Sequence, residues 1–327
     1  GGYAMGCALR ALGVGPGDPV LTNGWTLAPV PGAIAAVGAR PVLVEVGRDL
    51  CIDLDDLEAK APQANVLMLS HMRGHIADMP RLMAICDAHD IAVIEDCAHT
   101  MGADWDGHPS GRWGAIGCYS CQTYKHVNSG EGGLIVTDDA DLAAKMILLS
   151  GSYMLYARNG TAPSEEVFAR HKGAMPNVSG RMDELRAAIL RPQLADLPAQ
   201  VARWNERYRA LETGFRNLPG LHVIDRPASE GYVGSSIQLL ADDPEKIPGF
   251  IAGCAARGVD WKWFGHATAQ GFTSSHHHWA YVEAQSLPQT DAVLARLLDM
   301  RVPLTFDLAD CAVIARIVAE EAAESLR

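Results

Sequence analysis

Short runs of almost wholly apolar residues alternate with helix-like stretches through the first half of this chain, and that alternation constrains the fold more than anything else in it. Pro41 to Val46, Asn65 to Ser70 and Ile91 to Ile94 read as strands, with helices expected near 53–60 and 79–89 between them. A strand with no polar face must be covered on both sides, so these runs call for an α/β fold with a mostly parallel central sheet covered by helices. Open sheets of this kind place their ligands at the carboxyl ends of the strands. From about residue 220 the pattern changes to strands with intervening helices, including Tyr232 to Leu240 and Pro244 to Arg257, which reads as a smaller C-terminal α/β domain. A helical region starting at Arg181 runs to about 216, and Pro192 and Pro198 are expected to break it. We therefore divide the chain into a large domain at 1–198 and a small one at 199–327 that includes the linking helix.

The stretch from Cys118 to Gly133 carries the candidate chemistry. Lys125 follows Ser120 by five positions, a Gly-rich turn comes next, and the run Gly133 to Thr137 is β-like. Upstream, the Ile91 to Ile94 run ends in Glu95 and Asp96, which puts Asp96 at a strand end. A lysine, a strand-end carboxylate and a serine able to bind phosphate are what pyridoxal 5'-phosphate requires. The lysine forms the Schiff base, the carboxylate keeps the pyridine nitrogen protonated, and hydroxyls with helix N-terminal amides hold the phosphate. The chain has six lysines, and the five others lie in segments that read as solvated helix or loop. A solvated amine stays protonated and is a poor nucleophile.

Other signals weigh less. Gly1 and Gly2 precede a helix-like stretch ending at Leu12, whose free N-terminal amides form an anion site. Gly13 to Gly17 is a turn rather than a dinucleotide loop, because Pro16 and the strand-like Pro19 to Thr22 exclude the helix such a loop must open. His71 and His75 flank Gly74 at a strand exit, which leaves substrate-side lining and plain loop structure both open. Cys118 and Cys121 lack a second cysteine pair, and an offset of three on a strand sends their thiols to opposite faces, so no redox or metal role is assigned. His276 to His278 read as a loop, and no metal is assigned there either. Eight scattered cysteines suit reduced thiols in a cytoplasmic setting. A net charge of −12 argues against nucleic acid or an anionic membrane as partner, and no apolar run approaches the roughly 20 residues of a membrane span.

Five stretches carry a family resemblance: Ala8 to Asp18, Gly38 to Val44, Ile94 to His99, Ser120 to Gly133 and Arg181 to Ala188, with weaker likeness in Leu287 to Thr290 and Val302 to Leu304. In these the chain resembles the DegT/DnrJ/EryC1/StrS aminotransferases, fold-type I pyridoxal-phosphate enzymes that act on sugars and cyclitols. The resemblance implies that Lys125 and Asp96 are catalytic. It implies that Gly1, Gly2 and Ser120 hold the cofactor phosphate, that His99 contacts its phenolic oxygen, and that Trp25 or Leu27 stacks on its ring. It also implies that Asn177 or Ser179 reaches the phosphate of a partner subunit in a homodimer, and that a few dozen residues precede Gly1. Gln122, three positions before Lys125, matches some cyclitol enzymes of the family. The implied reaction moves an amino group from glutamate or glutamine to a keto sugar or cyclitol ketone. A lyase or dehydratase on the same scaffold, and a non-catalytic cofactor-binding sensor, are the alternatives.

Overall fold

The computed structural model describes residues 1–152, 154, 161–269, 271 and 275–326. Six strands build the main sheet: β1 (Pro19–Asn23), β2 (Arg40–Val44), β3 (Val66–Ser70), β4 (Ala92–Asp96), β7 (Ile116–Ser120) and β8 (Gly133–Val136). Two short strands, β5 (Asp104–Trp105) and β6 (His108–Pro109), pair outside it with β10 (Glu230–Gly231). The main order is β2-β1-β3-β4-β7-β8, parallel up to β7, with β8 antiparallel at the edge.

Alternate residues of β1, β3 and β4 feed two different cores. Leu21, Leu67, Leu69 and Val93 pack on one face with residues of α3 (Leu54–Lys60) and α4 (Met79–Ala88). Val20, Met68, Ile94 and Ile116 pack on the other with α1 (Gly2–Ala11), α2 (Pro29–Ala36) and α5 (Ala140–Leu149). Both faces are thus buried, as the apolar runs demand. Side-chain caps set several helix starts: Asp53 accepts from the amides of Asp55 and Asp56, and Asp78 from that of Arg81. After α5 comes a short helix, α6 (Glu165–His171).

The expected breaks at Pro192 and Pro198 are absent. A single helix, α7 (Glu184–Phe215), runs through both prolines after an N-cap by Asp183. Each proline withdraws one donor from the ladder, at carbonyls of a half that is mostly exposed and open to water. The second half is fixed by packing: Trp204 sits in the core under the main sheet, while Tyr208, Leu211 and Phe215 sit in the C-terminal core. One helix therefore links the two cores.

The C-terminal sheet is antiparallel, with β9 (Leu221–Val223), β11 (Ser236–Ala241), β12 (Lys262–Trp263) and β13 (Leu297–Arg301) in the order β12-β13-β11-β9. It packs against α7, α8 (Ile247–Ala256) and α10 (Leu308–Ser325). The short α9 (Pro288–Leu294) is tied to Glu45 just past β2, whose carboxylate accepts from the Thr290 amide and hydroxyl. Among the described residues, no helix is long and apolar enough to cross a membrane.

Candidate active site

Three neighbouring parallel strands end in polar side chains. Ser70 closes β3, Asp96 closes β4 and Ser120 closes β7, and the register sets Ser70 directly opposite Asp96. Asn23, at the end of β1, clamps Ser70 through both its amide and its carbonyl, at 2.9 and 3.1 Å. The Thr26 hydroxyl donates to Ser70 Oγ at 2.7 Å, and Ser70 Oγ donates to Asp96 Oδ2 at 3.2 Å. The Ala98 amide donates to Asp96 Oδ1, also at 3.2 Å. Burial raises the Asp96 carboxyl above its ordinary range, against the opposing pull of Lys125, the Ala98 amide and Ser70.

The preceding residue, Glu95, points the other way and does a different job. Its carboxylate accepts the amides of Gly111, Trp113 and Gly114, each at 2.8 Å, and meets His71 Nε2 at 3.1 Å. Burial alone would raise this carboxyl, but the contacts with His71 and the loop amides together hold it below its ordinary value. Glu95 thereby anchors the loop that precedes β7.

Lys125 lies partly buried on the turn after β7, where its amide donates to the Gln122 carbonyl at 2.9 Å. Its Nζ stands 2.9 Å from His99 Nε2. Burial pulls the Lys125 amine down from 10.5 to about 8, with Arg301 and Arg73 adding repulsion and Asp96 opposing both. His99 is pushed well below 6.5 by burial, then by Lys125, Arg73 and Arg301, so its ring is neutral at physiological pH. The Arg73 amide donates to His99 Nδ1 at 3.3 Å, which leaves the ring proton on Nε2, facing the lysine. An unprotonated Lys125 would accept that proton as a hydrogen bond.

Gly1 and Gly2 begin α1 beside Ser120. The first bond inside the helix runs from the Met5 amide to the Gly1 carbonyl, at 3.0 Å, so the amides of Gly2, Tyr3 and Ala4 lack helical partners, and Gly1 offers no side-chain cap. A Cβ on Gly1 would stand 3.0 Å from Ser120 Cβ, so glycine leaves open a space that any side chain would fill. Gly180 and Arg181 join Gly1 and Gly2 in lining a hollow of about 860 Å³. Asn177 is engaged nearby, donating from Nδ2 to the Leu148 carbonyl at 2.9 Å, while Ser179 is exposed beside Gly151.

Other expectations resolve by side-chain direction. Leu27 lines the cavity of about 880 Å³ that also holds Lys125, His99 and Gln122. Trp25 is turned into the protein core instead, edge-on to Phe264 with ring centroids 5.4 Å apart. His71 and His75 are both buried in internal contacts, with Glu95 and with Gln238 Oε1 at 2.8 Å, so neither lines the Lys125 cavity. His276 and His277 both meet Asp291 Oδ1, at 2.9 and 2.8 Å. Ser70, Arg73 and Arg301 were missed by sequence reasoning. Ser70 could have been found from its place at a strand end, whereas Arg301 lies far along the chain with no local pattern to mark it.

Solved structures share this architecture. An aminotransferase, TlmJ, from Streptoalloteichus hindustanus superposes with a TM-score of 0.84 at 23% identity, over 99% of this chain and 84% of that one. The fold is therefore that of the fold-type I pyridoxal-phosphate transferases. A family profile described as the DegT/DnrJ/EryC1/StrS aminotransferase family matches residues 1–318, and the chain belongs to that family. Among characterised relatives, an L-glutamine:2-deoxy-scyllo-inosose aminotransferase of Streptomyces kanamyceticus is 36% identical over 192 residues, covering 58% of this chain and 45% of its own. A UDP-N-acetyl-3-dehydro-α-D-glucosamine 3-aminotransferase of Acidithiobacillus ferrooxidans is 34% identical over 262 residues, covering 77% of this chain and 66% of its own. The chain thus spans about half to two thirds of the length of these relatives.

Glu95 generates a pH prediction. Its folded value lies below its ordinary 4.5, so its contribution to stability is present above about pH 4.5 and is lost as pH falls through the folded value. Denaturant melts at stepped pH should show a steeper acid loss in the wild type than in Glu95→Gln. Parallel slopes would contradict this.

Proposed function

We propose that this protein is a pyridoxal-phosphate-dependent aminotransferase that moves an amino group from glutamate or glutamine to a keto sugar or cyclitol ketone. The observation that carries the reading is Lys125, with its Nζ 2.9 Å from His99 Nε2, placed within electrostatic reach of the buried strand-end carboxylate of Asp96, so that its amine loses its proton near pH 8. The residues present fit the cofactor. The uncapped start of α1 and Ser120, with the space left by Gly1, offer a cradle for its phosphate. When bound, pyridoxal phosphate supplies an aldehyde that captures amines and a protonated ring that draws electrons from the substrate carbon.

The chain's own groups would do the rest. Asp96, oriented by Ser70 and Ala98, would hold a proton on the ring nitrogen, which a neutral amide could not do. His99 Nε2–H would donate to the phenolic oxygen. Lys125 Nζ would attach the cofactor and, once released, carry the proton to and from the substrate carbon, a role that needs an amine neutral near working pH. Leu27, on the wall of the same cavity, offers an apolar surface for the ring. The names of the relatives support both acceptor classes, and Gln122 on the cavity wall supports the cyclitol side. Eight free thiols support a reducing, cytoplasmic setting.

Borohydride reduction of the cofactor-loaded protein followed by peptide mapping should place the label on Lys125 alone. Lys125→Ala should abolish release of 2-oxo acid from glutamate or glutamine, and Asp96→Asn should slow it by about 10²- to 10⁴-fold, the usual scale for a lost acid–base group. A label on another lysine, or near-normal turnover by Asp96→Asn, would refute the assignment. Uptake of cofactor without any 2-oxo acid release would favour a sensor.

We further propose that the working unit is a homodimer with the 177–181 segment beside a phosphate cradle. Exposed apolar residues support it: Leu185 is 73% and Val178 50% exposed, and Ile189 lies one helical turn beyond Leu185. Sedimentation should give a dimer, and mixing Lys125→Ala with a 177–181 variant should restore part of the activity. A fully active monomer would end this proposal.

A further inference from the structure

Three adjacent histidines form a short 3₁₀ turn, His276–His278, and they divide into two jobs. His278 holds the turn itself: its Nδ1 accepts the Ser275 amide at 3.2 Å, and its Nε2–H donates to the Ala267 carbonyl at 3.1 Å. The other two rings converge, with centroids 3.9 Å apart and planes at 39°. Both Nε2 atoms reach the same oxygen, Oδ1 of Asp291 on α9, at 2.9 Å from His276 and 2.8 Å from His277. Neighbouring side chains on an extended chain point apart, so adjacent histidines make a poor metal motif in sequence, and here the folded turn overrides that expectation.

The surroundings suit a cation. Asp291 forms no ion pair with a lysine or arginine among the described residues. Glu45 adds negative potential at His276, while its own oxygens are taken by the Gln289 amide and by the amide and hydroxyl of Thr290. The His276 side chain is only 2% exposed, whereas those of His277 and Asp291 are 60% and 41% exposed, so an ion arriving from water meets two accessible ligands and one held in place by packing. A second cluster, His71, Glu95 and Cys97, is buried throughout, and Glu95 there already accepts three loop amides, so it offers no such entry.

We propose that His276, His277 and Asp291 form a zinc site that ties the 275–278 turn to α9. Two imidazole nitrogens and a carboxylate oxygen, all within 4.8 Å of one another, are a donor set for zinc and are too rich in nitrogen for magnesium or calcium. Ligand atoms about 2.0–2.2 Å from a tetrahedral zinc lie roughly 3.3–3.6 Å from one another, so each nitrogen–oxygen separation here needs to open by only about half an ångström. Both rings bind as neutral imidazoles through Nε2, with the remaining proton of each moved to Nδ1, and water takes the fourth position. None of the three residues lines the Lys125 cavity, so the metal holds the fold and takes no part in the chemistry there. Because α9 is itself tied to Glu45 past β2, the zinc fixes the turn to the large domain's sheet.

Calorimetric titration of the full chain with zinc, on protein free of any affinity tag and stripped of metal, tests the site directly. The wild type should take up one zinc per chain, and His277→Ala and Asp291→Asn should each lose at least about tenfold in affinity. Zinc should raise the melting temperature of the wild type and leave those of the two variants in place. His277 is exposed, so its removal disturbs no packing and keeps the test decisive should Asp291→Asn unfold. X-ray absorption at the zinc edge should show nitrogen and oxygen neighbours at about 2.0–2.2 Å and no sulfur at about 2.3 Å, which separates this site from the chain's free thiols. Absence of zinc uptake, equal affinity in His277→Ala, or a sulfur neighbour at the metal overturns the proposal.

Discussion

Lys125 and Asp96 share one poorly solvated corner, and the chemistry proposed for the site depends on how their charges settle there. Desolvation disfavours both charged forms, and their mutual attraction favours both. Desolvation wins at the lysine, helped by Arg73 and Arg301, so the amine reaches neutrality near pH 8 instead of above 10. At Asp96 the balance is steadied by hydrogen bonds to the charged form from Ser70 and Ala98. Neutral His99 completes the corner, with its tautomer set by a backbone amide rather than by another charge.

That corner exists because the main sheet is buried on both faces. Strands β3, β4 and β7 are largely apolar until their carboxyl ends, and there Ser70, Asp96 and Ser120 lie side by side. Glu95 shows the same logic on the opposite side of β4: a buried carboxylate survives because three loop amides and a histidine surround it. The C-terminal sheet then closes the cavity, bringing Arg301 across to the turn that carries Tyr124 and Lys125.

Local signals made much of this legible. The apolar runs of the first half located the strands to within about two residues, and the Glu95-Asp96 pair and the Ser120 to Lys125 spacing pointed to side chains that the fold brings into one candidate site. Three things were hidden. The prolines in α7 carry a local penalty that packing of Leu211 and Phe215 outweighs, and packing is not visible in a local pattern. Trp25 and Leu27 differ only in the direction of their side chains, which the fold sets. Arg73 and Arg301 come together because Arg73 meets Asp299 on β13, the strand that ends in Arg301, rather than through any spacing along the chain.

The most direct test of this account is the pH dependence of covalent capture at Lys125. The rate at which pyridoxal phosphate is fixed to the protein, stopped by borohydride, should rise with pH and level off with a midpoint near 8 in the wild type. In Asp96→Asn the midpoint should fall lower, because Asp96 is the group that favours the ammonium. A wild-type midpoint near the ordinary 10.5, or one that Asp96→Asn leaves in place, would contradict the claim that burial against Asp96 tunes this lysine.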